Sequence, residues 1–72
     1  MNGMKVFIKI ADSAAKYYNC RLKYNDDDKT VYYIGPENRK DYVLEEINKY
    51  LVYMGFQIID ITQVKFLQED DI

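Results

Sequence analysis

The chain has no histidine, a single cysteine, one proline and three glycines that stand far apart. Without histidine the usual side-chain base near neutral pH is missing, and the lone serine, Ser13, has no activating partner beside it in the sequence. Gly3, Gly35 and Gly55 form no glycine-rich phosphate loop. These absences disfavour an enzyme and leave no cofactor motif. Cys20 alone cannot close an internal disulfide, and no charged-then-apolar leader precedes it, so a reducing cytoplasm is the expected setting. Apolar stretches such as residues 50–56 end well short of the ~20 residues that a membrane span requires.

What is present suits one small folded domain. Seventy-two residues, 49% of them apolar and including eight tyrosines and three phenylalanines, are enough for a single core and too few for two. Met4 reads as a second start, which makes residues 1–3 an expected extension, and the acidic residues 68–72 an expected frayed tail. Phe, Tyr, Met, Ile, Asn and Lys fill 35 positions while Gly, Ala, Arg and Pro fill 9. That bias is what AT-rich coding produces, and small proteins of this kind are frequent among virus-encoded factors.

Charge is segregated along the chain. The first twenty-three residues carry net +4, with Asp12 their only acid, and the remaining forty-nine carry net −6, within a total of −2. Opposed charge on one small domain suggests a surface that meets something charged.

Hydrophobic periodicity predicts a β-β-β-α-β order. Residues 5–10 alternate, with Val6, Ile8 and Ile10 opposite Lys5, Phe7 and Lys9, which reads as a half-buried strand. Residues 11–15 read as a loop, and residues 16–24 as a second strand with Tyr18, Cys20, Leu22 and Tyr24 on one side. In that phase Cys20 is a buried, inert thiol. Asn25-Asp26-Asp27-Asp28-Lys29 has turn chemistry, residues 30–34 make a third strand, and Gly35-Pro36 ends it. From Arg39 the period becomes 3.6 after a candidate cap at Asn38. Val43, Leu44, Ile47, Tyr50, Leu51 and Met54 fall in one arc, and Gly55 sits where a left-handed terminating residue belongs. Residues 56–67 are extended with a phase slip near 60–63. The expected fold is therefore α+β, a four-stranded mixed sheet with one long helix on one face. A helix confined to residues 11–15 would instead give a ferredoxin-like β-α-β-β-α-β order.

Three residue sets stand out on this scheme. One is the open sheet face, with Lys5, Phe7, Lys9, Tyr17, Arg21, Lys23 and Tyr32. Cations interleaved with aromatics can track phosphates and stack bases, although an ordinary solvated face has the same pattern. Another is the flank of the helix, where Tyr42, Glu46, Lys49 and Tyr53 follow at i, i+4, i+7 and i+11, with exposed Val52 nearly opposite the core. Tyrosine is enriched at binding hot spots, while the plainer reading packs Tyr42 and Tyr53 at the rim of the core. The last is the acidic run Asp26, Asp27 and Asp28, echoed at 69–71. It lacks the alternate spacing and glycine of a calcium loop, but could imitate nucleic-acid phosphates or border a protein interface.

The expected function is a small intracellular interaction module, an inhibitor or modulator that covers a surface of a larger protein. The interface candidates are Tyr42, Glu46, Lys49, Val52, Tyr53 and Asp26 to Asp28. The rival is a single-stranded nucleic-acid binder using the basic, aromatic sheet face, against which the acidic total counts. A homodimer that pairs a strand edge or the Tyr42/Val52/Tyr53 flank is compatible with either.

Overall fold

A computed structural model describes residues 3–68 and shows two helices and three strands. The first element is a helix, α1, spanning Gly3–Ala15, where alternation predicts a strand and then a loop. Six residues are too few to separate a period of two from one of 3.6. Carried on to residue 15, the helical period is the better fit, because Ile8, Ala11, Ala14 and Ala15 are its buried positions, and alanine has the highest helix propensity. The chain then makes a single tight turn, Lys16–Tyr18. Asn19 ends it in the left-handed region, at φ 58°. The Cys20 N–H donates to the Ala15 carbonyl and the Asn19 N–H to the Lys16 carbonyl, the paired bonds that close a helix on a left-handed residue.

Strand β1, Arg21–Asn25, pairs antiparallel with β2, Thr30–Ile34, in a register that sets Leu22 opposite Tyr33 and Lys23 opposite Tyr32. The acidic turn is bonded internally. The Asp27 N–H donates to Asn25 Oδ1, the Thr30 N–H to Asp28 Oδ1, and the Tyr32 hydroxyl to Asp28 Oδ2 at 2.7 Å. Helix α2, Lys40–Tyr53, carries the chain to β3, Lys65–Phe66, which pairs parallel to β2. The sheet order is β1-β2-β3. At the end of α2, Gly55 at φ +83° closes the helix as Asn19 closes α1, with Phe56 N–H on the Leu51 carbonyl and Gly55 N–H on that of Val52.

The order is thus α-β-β-α-β, and the expected four-stranded sheet with one long helix is corrected to a three-stranded mixed sheet with two helices. The ferredoxin-like alternative fails as well, since the early helix replaces the first strand instead of following it. The expected last strand shrinks to two residues because the phase slip is a turn at Ile61–Gln63, capped by the Asp60 carboxylate. Of the expected extension, residues 1–2 lie outside the described residues while Gly3 opens α1; of the expected tail, 69–72 lie outside them.

Both helices share one core with the sheet. Ile8, Ala11 and Ala15 of α1 and Val43, Leu44, Ile47 and Leu51 of α2 close over Leu22 and Tyr33, with Tyr24, Val31 and Phe66 partly buried beside them. Alternation then turns Arg21, Lys23, Asn25, Thr30, Tyr32 and Lys65 to the other sheet face. Ile34, opposite Arg21, is also buried but stands outside that core. Cys20 is a buried free thiol, 3.3 Å from the Tyr33 hydroxyl, which donates to the Pro36 carbonyl at 2.7 Å. Burial, then the neighbouring Cys20, pushes ionisation of the Tyr33 phenol well up. Among the described residues no helix is long and apolar enough to cross a membrane.

Candidate protein-binding face

Helical spacing puts Tyr42, Glu46, Tyr50 and Tyr53 along one side of α2. That side faces the C-terminal end of α1 and the turn after it. A cleft of about 300 Å³ runs between them, lined by Ser13, Ala14, Tyr17, Tyr18, Glu46 and Tyr50. The Tyr18 ring meets Tyr42 edge-on, 6.4 Å between centroids and 86° between planes, and the Arg39 guanidinium lies 5.8 Å from the Tyr42 ring centre. These are favourable arrangements for aromatic and cation–aromatic pairs. Tyr42 is therefore held in place from two sides. Tyr17 and Tyr53, by contrast, are 89% and 86% exposed.

Five tyrosines from two segments so form one surface, although only Tyr42 and Tyr53 stand out on the helix flank in the sequence. Tyr17 belongs there and not to a sheet face, because the turn Lys16–Tyr18 replaces the start of the expected strand. Tyr18 and Tyr50 read as inward-facing from sequence alone. The available signal was Asn19, a residue tolerant of left-handed backbone placed where α1 must stop, together with the position of Tyr50 at the edge of the apolar arc. Glu46 and Lys49 pair at 2.9 Å, and Glu46 raises the Lys49 pKa. Val52 is exposed but lies ~80–100° round the helix from Tyr42 and Tyr53. It sits on the same side as Asn48, whose amide donates to the Ile59 carbonyl at 2.9 Å and accepts from its N–H at 2.8 Å. Sequence reasoning missed that clamp, which ties the loop before β3 to α2.

The acidic hairpin is not part of this face. Asp26 lies 3.9 Å from Lys5 near the start of α1, roughly 18 Å of helix from Tyr17. Asp28 holds the turn together, and its pKa reflects those bonds. The Tyr32 hydroxyl lowers it, burial opposes that, and the Thr30 N–H adds to the lowering. A larger groove of about 700 Å³ opens at that end, with Met4, Phe7, Ile58 and Val64 in its wall.

The basic set is divided too. Lys5, Phe7, Lys9 and Tyr17 lie on α1 and the turn after it, with Phe7 packed partly against the core, and of the expected set only Arg21, Lys23 and Tyr32 share the open sheet face, Lys23 opposite Tyr32. Lys5, Lys9, Arg21 and Lys23 line a shallow groove between α1 and β1. In it Arg21 grips Asp12 through Nε and Nη2, both at 2.9 Å, and Asp12 Oδ1 accepts the Leu22 N–H at 2.8 Å. Burial works against ionisation of Asp12. The Arg21 and Leu22 bonds and the charges of Arg21 and Lys16 outweigh it, and the carboxyl pKa is lowered. Among the described residues no three His, Cys, Asp or Glu side chains are placed to share a metal ion.

Comparison of the chain with protein-family models, curated proteins and solved structures found no match.

Proposed function

We propose that this chain is a small interaction module that inhibits or modulates a larger protein by covering part of its surface with the tyrosine face. The observation that carries the reading is the convergence of Tyr17, Tyr18 and Tyr50 at a cleft, with Tyr42 against Tyr18 and Tyr53 exposed on the same side of α2. A tyrosine buries on the order of 150–250 Å², so Tyr17 and Tyr53 together supply a large share of the roughly 800 Å² that one partner contributes to a standard interface. Tyrosine does this at low entropic cost, and its hydroxyl tolerates water when unbound. The free thiol of Cys20 suits a reducing compartment, which supports a cytoplasmic setting.

The test is affinity capture from host lysate with nuclease present, on the native chain and on Tyr17→Ser/Tyr53→Ser. A protein retained in stoichiometric amount by the native chain and lost by the variant, at an unchanged thermal midpoint, supports the reading. Equal retention by the two chains, or loss of all retained material on nuclease treatment, refutes it.

A further inference from the structure

The shallow groove beside β1 has an internal precedent for what it binds. In the β1–β2 register, Arg21, Lys23 and Asn25 turn their backbone N–H and C=O groups toward β2, while Leu22 and Tyr24 turn theirs to the free edge. The Leu22 N–H agrees with this, since its acceptor is the Asp12 side chain on α1. Asp12 thus shows one carboxylate seated between an edge N–H and a cation, Arg21. Two residues along, Tyr24 repeats the edge geometry, and among the described residues no side chain accepts from its N–H. The cations are there: Lys5, Lys9 and Lys23 line the same groove, Lys9 and Lys23 form no ion pair among the described residues, and Lys5 reaches Asp26 only at 3.9 Å.

We propose that this groove binds an acidic peptide segment of a partner protein, one carboxylate taking the Tyr24 N–H as Asp12 takes that of Leu22, with Lys5, Lys9 and Lys23 around it. Charge complementarity is local, because the first twenty-three residues are net +4 while the whole chain is −2. A short acidic segment meets Lys9 and Lys23 directly, with Asp12 already held by Arg21 and Asp26 only at the Lys5 end, whereas a long polyanion also meets the negative remainder. The groove also lacks an exposed ring on which a base could stack. Tyr24, its one aromatic, is half-buried against the core, Tyr17 lies beyond the end of α1, and Tyr32, opposite Lys23 on the open sheet face, is half-buried with its hydroxyl held by Asp28. Its volume of about 220 Å³ suits a carboxylate and its short stem.

The site is separate from the tyrosine face, so the two can fail independently. The probe is a fluorescein-labelled decaglutamate peptide, followed by anisotropy at low salt, with an oligodeoxythymidine of the same length as comparator. Saturable binding of decaglutamate is expected, weakened about tenfold or more by Lys9→Glu/Lys23→Glu, less by Lys9→Gln/Lys23→Gln, and unchanged by Tyr17→Ser/Tyr53→Ser. The Tyr24 amide resonance should shift on binding. Tighter binding of the oligonucleotide, no saturable binding of decaglutamate, affinity indifferent to both lysine variants, or an unmoved Tyr24 amide would each overturn the proposal.

Discussion

Replacing Asp12 by alanine removes a group that ties two elements together, α1 and β1. Its carboxylate, 14% exposed, accepts the Leu22 N–H, pairs with Arg21 and fastens α1 to the edge of the sheet. Losing an ionised acceptor for a part-buried backbone N–H costs about 1.5–3 kcal/mol. Since ~1 kcal/mol moves the midpoint of a domain this small by about 4–8 °C, a fall of roughly 8–16 °C is expected for ~2 kcal/mol. The pH dependence gives a second, independent check. The folded-state pKa of Asp12 is lowered, so its stabilising contribution is complete above the unfolded carboxyl pKa of about 4 and is lost as pH falls through the folded value below that. The gap between native chain and variant should therefore be widest near about pH 7 and close progressively below about pH 4. Asp12→Asn keeps an acceptor for Leu22 without the charge, and should fall between the two with little pH dependence of its own. Thermal unfolding by circular dichroism across that range measures all three. Midpoints that coincide near neutrality, or a gap that stays constant into acid, would refute the reasoning.

Asn48→Ala strips both partners from the Ile59 backbone, and a loss of about 1–3 kcal/mol is expected; faster hydrogen exchange at the Ile59 amide would locate the effect, and unchanged exchange would contradict it. At Gly35 a Cβ would stand 2.9 Å from Cys20 Sγ and 3.1 Å from the Tyr33 hydroxyl, so Gly35→Ala should destabilise by roughly 1–3 kcal/mol. Adding Cys20→Ala should restore part of that, and strict additivity of the two changes would argue against a direct clash. Lys29 holds a left-handed backbone at φ 57°, and Lys29→Gly should raise stability in urea unfolding by about 0.5–1 kcal/mol.

Local chemistry was legible where each residue's requirement is met by its near neighbours. The turn at Asp26, Asp27 and Asp28 rests on Asn25 and Asp28 side chains bonding to backbone two residues on, a preference carried by those residue types. The helix from Lys40 to its left-handed end at Gly55 was legible because fourteen residues show four buried positions in one repeating arc. Residues 5–10 misled for the opposite reason. Val6, Ile8 and Ile10 alternate as a strand would, whereas the helix buries Ile8, half-buries Phe7 and Ile10 and turns Val6 to solvent, and the alanines that extend the helical face lie beyond that window.

By itself, the sequence determined the hairpin, the second helix and its stop, the segregated charge, and the abundance of tyrosine, because each depends on composition or on bonds made within a few residues. The tertiary structure decided which surfaces exist. Tyr17 and Tyr18 meet Tyr42 and Tyr50 only because α1 and α2 pack side by side. Lys5 and Lys9 meet Arg21 and Lys23 only because Ala11 and Ala15 let α1 lie close to β1. Two dozen residues of chain separate the first pair of partners and about a dozen the second, so neither meeting is written in any local pattern; burial of the shared core fixes both.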